Sequence, residues 1–194
     1  VASSRSDRIT RFDGPTGRFV EHLPDPESGN PMDNPVAMAA GPDGMVYVVS
    51  RGNDRVLRYH PVSGELVDVF VDGQGLDAPT GLAFAANGDL LVSNRNGGVR
   101  RFAGPQAADA GAAKGTFIDV GDGGLDGPFN MALGPDGGLY VASFDTDQVL
   151  RYDGQSGDFV DVFAQDQALS RTQGLLFDDE GNLLVASTGS NDVL

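Results

Sequence analysis

Cysteine and tryptophan are absent, and histidine occurs only at His22 and His60. Without cysteine there is no disulfide, no thiol nucleophile and no thiolate metal site. Basic residues are scarce, 13 Lys and Arg against 28 Asp and Glu, for a net charge of −15. Such a chain offers no basic stripe to neutralise phosphates, which argues against nucleic acid as a partner, and it suits an anionic membrane surface no better. No apolar run approaches the roughly 20 residues a helix needs to cross a bilayer, so no membrane span is expected. No basic segment followed by an apolar core opens the sequence, so no signal peptide is expected at Val1, and a start without methionine suggests a processed chain or an excised fragment. There is no Gly-x-Ser-x-Gly elbow, no His-Glu-x-x-His, no phosphate loop and no dinucleotide fingerprint.

What the chain has in quantity is turn residues. Its 28 glycines and 11 prolines punctuate short apolar runs. The stretch 126–163, DGPFNMALGPDGGLYVASFDTDQVLRYDGQSGDFVDVF, holds four such runs: 129–133, 139–143, 149–152 and 159–163. Runs of four to six residues are too short for stable helices and suit strands joined by tight turns. The unit is read as a four-stranded antiparallel meander, A to D.

It recurs. The turn glycines Gly44, Gly88, Gly137 and Gly181, and the strand B valines Val48, Val92, Val141 and Val185, share a period of about 45 residues. Strand C repeats as Ile9–Phe12, Val56–Tyr59, Val99–Phe102 and Val149–Tyr152. A four-strand unit of this period predicts an all-β β-propeller, whose thin sheets are stable only when stacked on neighbours. The expected divisions are 1–34, the end of a blade contributing strands C and D; 35–78, blade one; 79–127, blade two; 128–171, blade three; and 172–194, a partial blade four. Blade two carries an insertion, Ala103 to Gly115, and a long loop runs from Pro24 to Asn34. About four blade equivalents result. Both ends supply the start of a strand C, so the expectation is a piece of a larger ring or one completed by a homo-oligomer, ahead of a self-closed four-blade ring.

The phrases GPDGGLYVAS, TDQVLRYDG and SGDFVDVF, with their partners GPDGMVYVVS, NDRVLRYHP and SGELVDVF, resemble the repeats of NHL, SMP-30/gluconolactonase-like and streptogramin-lyase-like propellers. The resemblance covers essentially the whole chain and implies the architecture more than any one activity, since such repeats serve lyases, lactonases, binders and secreted proteins. A Trp-Asp repeat propeller is not expected, because the chain has no tryptophan and no Gly-His…Trp-Asp pattern. NHL-type blades often end strand B in Asp, whereas here the position holds Ser50, Asn94, Ser143 and Ser187. The basic face of RNA-binding relatives is missing.

Candidate chemistry is sought where blades differ. Matching inner-strand positions hold Ala37, Gly81, Asn130 and Gly174, so Asn130 stands out as a channel-facing ligand for a small molecule or metal. Asp33, Asp77 and Asp126 each precede a proline by two residues. Asp77 and Asp126, with Asn130, would supply oxygens to a divalent cation, Ca²⁺ by preference, although carboxylates repeated in every blade more often shape a turn. In the B–C loops Arg51 and Arg95, beside Asn94, would clasp a carboxylate or sugar hydroxyls, against the plainer reading of solvated arginines paired with nearby Asp. Arg11, Arg58 and Arg151 precede Glu21, Asp68 and Asp161 by one hairpin, and Arg101 is matched to Asp119 across the insertion, giving rim ion pairs of about 0–1 kcal/mol each. His22 and His60 fall on outer elements, out of reach of the channel mouth, so no catalytic residue is assigned. The reading is a non-enzymatic binding or scaffold module, exported to the periplasm or cell exterior, taking a protein, peptide or glycan on the face made by D–A and B–C loops. The competing reading is an SMP-30-like metal-dependent lactonase, hydrolase or lyase.

Overall fold

The computed structural model describes residues 1–23, 31–189 and 192–193. Most of the expected Pro24–Asn34 loop, and Leu194, therefore lie outside the described residues. Strand follows strand as the spacing predicts. The first sheet holds β1 (Ala2–Ser3), β2 (Arg8–Phe12) and β3 (Phe19–Leu23). The second holds β4 (Pro35–Ala40), β5 (Val46–Ser50), β6 (Arg55–Tyr59) and β7 (Leu66–Asp72). The third holds β8 (Pro79–Phe84), β9 (Leu90–Asn94), β10 (Gly98–Phe102) and β11 (Ala113–Ile118). In the fourth lie β12 (Pro128–Leu133), β13 (Gly138–Ser143), β14 (Gln148–Asp153) and β15 (Phe159–Gln165), and in the fifth β16 (Thr172–Phe177), β17 (Leu183–Ser187) and β18 (Asp192–Val193). Within each sheet neighbouring strands are consecutive and antiparallel. The only helical pieces among the described residues are single 3₁₀ turns at Arg51–Asn53 and Asp122–Gly124.

Turn chemistry sets the register. Gly44, Gly88, Gly137 and Gly181 all adopt positive φ, between 79° and 85°, and each donates its N–H back across the A–B turn, as Gly137 does to the Gly134 carbonyl at 3.0 Å. A side chain there would be strained, which is why glycine recurs at this step. With register fixed, side chains alternate between faces. Tyr47 and Val49 join Leu82, Val92 and Phe102 in a cluster between the second and third sheets, while Val48 turns the other way onto Ile9. The next junction is filled by Leu91, Val99, Met131, Val141 and Leu150, and the one after by Tyr140, Val149, Leu175 and Val185. The core is thus a row of sheet-to-sheet seams, with the first strand of each four-stranded sheet innermost.

Among the described residues, the two outward faces of the row keep apolar side chains exposed. Tyr47, Leu91 and Tyr140 are buried, but their counterpart in the fifth sheet, Leu184, is 40% exposed, and Val193, counterpart of the buried Val56, Val99 and Val149, is 73% exposed. On the first sheet Phe12 is 47% exposed where Tyr59, Phe102 and Tyr152 are fully packed. The insertion also differs in detail from expectation, because Ala113 to Gly115 are already strand β11 and only 103–112 form the loop.

Candidate functional site

Two kinds of tie recur at the end where D–A and B–C loops meet. The first is the residue closing strand B. The Ser50 hydroxyl accepts from the Asp33 N–H at 2.8 Å and donates to the Asp33 carbonyl at 3.0 Å. Ser143 does the same with Asp126, at 3.0 and 3.1 Å, and Ser187 accepts from the Ser170 N–H at 3.0 Å. Asn94 is the variant of this tie. It is wholly buried, with Oδ1 accepting from the Asp77 N–H at 3.2 Å and Nδ2 donating to the Gly75 carbonyl at 3.3 Å. The fold therefore consumes both ends of the amide that the sequence offered to a ligand.

The second tie was not anticipated. Asp7, Asp54 and Asp147, at the start of strand C, sit at positive φ and reach across to the next sheet. Their carboxylates accept from the backbone N–H of Asn34 at 2.7 Å, Ala78 at 2.9 Å and Arg171 at 2.6 Å, residues themselves at positive φ. Each clasp satisfies a donor that its left-handed conformation turns away from the sheet ladder. The signal lay in the Asp two residues before Ile9, Val56 and Val149, but an inter-sheet partner 24 or 27 residues away is invisible to local reading. Asp54→Ala is expected to lower stability by about 1.5 kcal/mol, measured by urea unfolding.

One junction lacks the clasp. Between the third and fourth sheets Gly97 replaces the aspartate and Gly127 replaces the receiving residue. Arg95 ties the sheets there instead. Its Nη2 donates to Asp145 at 2.9 Å, its Nη1 to the Gly127 carbonyl at 3.4 Å, and its guanidinium carbon lies 4.3 Å from the Phe144 ring centroid. Phe144 stacks in turn on Phe129, centroids 5.5 Å apart at 26°. A side chain at Gly127 would meet the Asp145 carboxylate and the Arg95 guanidinium where they now lie. The result is an arginine over two stacked rings, with Asp145 exposed at its edge: a platform able to hold a flat or hydroxylated ligand.

Asn130, half-buried on β12, turns its Oδ1 to the Met131 N–H at 2.8 Å, at an irregularity in the β12–β13 pairing. Asp77 is exposed and accepts from Asn96 Nδ2 at 3.1 Å, and Asp126 is exposed. Among the described residues no three acidic or histidine side chains gather. Calcium takes six to eight oxygens, so this donor set does not fit it. Arg51 makes no ion pair with any described residue. Its repeat counterpart Arg95 finds Asp145, whereas the position matching Asp145 in the third sheet is Asn96. His22 lies beside Phe19 on β3, and the His60 ring nitrogen accepts backbone N–H groups of the C–D turn at 3.2 and 3.3 Å.

Rim pairs form as spaced for Arg11–Glu21 at 3.0 Å, Arg58–Asp68 and Arg151–Asp161. Asp43 and Asp136 join two of them, accepting from the Tyr47 and Tyr140 hydroxyls at 3.0 Å, and the Gly138 N–H, ahead of the Tyr140 hydroxyl and the nearby Arg151, holds the Asp136 carboxyl below the usual range. Arg101 breaks the expectation. The register places Gly115, not Asp119, where Asp68 and Asp161 stand in the neighbouring sheets, so Arg101 turns to Asp89 instead, its Nε at 2.7 Å.

Sheets that fan in a row about innermost first strands, stitched seam by seam, decide the architecture. This is the β-propeller fold. No family model matches the sequence, and no curated protein does. The fold, by contrast, superposes on solved propellers. A catalytically inactive virginiamycin B lyase from Staphylococcus aureus, determined with quinupristin, superposes with a TM-score of 0.68 at 17% identity, over 98% of this chain and 63% of that one. A streptogramin B lyase gives 0.70 at 16% identity over 98% and 58%, and a gluconolactonase from Xanthomonas campestris 0.70 at 21% over 92% and 61%. The chain therefore spans under two thirds of these propellers, and at such identities the shared property is the fold. No helix among the described residues is long and apolar enough to cross a membrane.

Proposed function

We propose that this propeller segment is a binding module, working outside the cytoplasm, whose ligand docks on the D–A and B–C loop face over Phe144, Phe129 and Arg95. The observation that carries the reading is the exchange at one blade junction alone: a repeated architectural clasp is given up, and an arginine–aromatic stack stands in its place. Stacked rings beside a guanidinium and an exposed carboxylate suit a glycan or a peptide carrying aromatic and charged groups, and such anchors dominate binding energy where they occur. Arg51 and Asn130 are proposed as secondary ligand contacts. The exposed apolar faces of the first and fifth sheets fit burial against further propeller sheets or a second copy, because each repeats the chemistry of a filled seam.

The test is a glycan and peptide array probed with the wild type, Arg95→Ala and Phe144→Ala. Loss of captured spots by tenfold or more in affinity for both variants, with cooperative unfolding retained, is expected. Capture unaffected by either substitution overturns the reading. A second reading, a lactonase or lyase, is supported by the fold shared with the lyases and the gluconolactonase. Turnover of a lactone by the wild type, with no glycan or peptide captured, would establish it in place of the first.

A further inference from the structure

The middle of strand C points toward the preceding blade, and blades with a complete seam there place leucine in it: Leu57 and Leu150 are completely buried. In the third sheet the same position is Arg100. An arginine in an apolar register costs stability unless something answers its charge, and local rules are most often broken where a site is built. Three observations converge on it. First, no carboxylate among the described residues lies within ion-pair distance, and its one hydrogen bond runs from Nη1 to the Thr116 hydroxyl at 2.8 Å. Second, its Nε is buried without an acceptor. Third, the backbone opposite is Gly75, at φ 87°, where a Cβ would lie 2.6 Å from Nη2 and 3.2 Å from Nε. The chain thus leaves room for the guanidinium edge that carries both unanswered donors.

That edge, Nε with Nη2, is the one that binds an oxyanion through two parallel hydrogen bonds. Thr116, held on Nη1, fixes the orientation of the group. We propose that Arg100, framed by Gly75 and Thr116 between the second and third sheets, is a binding site for a carboxylate, sulfate or phosphate oxyanion. The bound anion supplies the missing counter-charge and locks the two blades together. This site lies at a different seam from the Phe144 platform and does not depend on it.

The repeat itself provides the decisive substitution, Arg100→Leu, which restores the residue used by Leu57 and Leu150. Thermal unfolding is followed in sodium sulfate and in sodium chloride at equal ionic strength, each protein against its own chloride baseline. The wild type is expected to gain several degrees in sulfate over chloride, Arg100→Leu to show no such gain, and Arg100→Lys, which keeps charge but loses the paired edge, to bind at least tenfold more weakly by calorimetry with sulfate. An equal sulfate gain in wild type and Arg100→Leu overturns the site, as does no gain in the wild type. If Arg100→Leu fails to fold, Arg100→Gln is read by the same two outcomes.

Discussion

Asp89→Asn is expected to remove about 3 kcal/mol of folding stability at neutral pH, the lower end of the range for breaking a buried ion pair. Asp89 is 4% exposed. Its carboxylate accepts from Lys114 Nζ at 2.7 Å, from Arg101 Nε at 2.7 Å and from the Gly104 N–H at 3.4 Å. The amide would keep the shape and leave two cations facing each other without a counter-charge. Both cations retain partial contact with water, 28% for Arg101 and 39% for Lys114, which limits the loss. Urea unfolding of the two proteins measures it. Burial pushes the Asp89 carboxyl up, but the bonds from Lys114 and Arg101 outweigh it and hold it below the usual range. A folded-state value below the unfolded one means the stabilisation is complete above about pH 4 and fades as pH falls through the folded value. The gap between wild type and Asp89→Asn should therefore close on acidification below pH 4. A gap unchanged at pH 3 would show that packing, not charge, accounts for it.

Gly81→Ala is expected to cost up to about 3 kcal/mol, the upper end for overpacking. The added methyl would stand 2.6 Å from the Phe129 carbonyl oxygen and 2.9 Å from the Asn130 Cα, both backbone atoms of the next blade. Neither can swing aside as a side chain can. The same contact is stitched by Thr80, whose hydroxyl donates to the Pro128 carbonyl at 2.8 Å, and by Ser93, which donates to the Phe129 carbonyl. A forced separation would break these bonds too. A drop in urea midpoint with unchanged slope is the expected signature. Because Phe129 belongs to the ring stack, Gly81→Ala should also weaken ligand capture, and wild-type stability in this variant would show that the seam has slack.

The contrast between Gly81 and Asn130 shows where sequence reading stopped. Aligning the repeats made Asn130 the conspicuous residue of its column and Gly81 an ordinary member. The structure reverses the emphasis. Gly81 is small because a neighbouring backbone passes through the space its side chain would need, and Asn130 turns its oxygen to its own chain. Arg101 gives the same lesson. Counting residues across the hairpin paired it with Asp119, but the insertion leaves Gly115 opposite Arg101, and a buried carboxylate in the turn before β9 offers a stronger field.

Turn glycines, the two-residue alternation and a period near 45 residues determined the meanders, their register and their stacking, because each of these depends on residues close in sequence. Which side chains meet across a seam was decided only in three dimensions. The Asp54 clasp to Ala78, the Arg95 platform on Phe144 and the unanswered edge of Arg100 all join residues of different repeats or their surroundings. Hydrogen bonds and desolvation act over a few ångströms of space, and the distance along the chain between those partners carries no record of them.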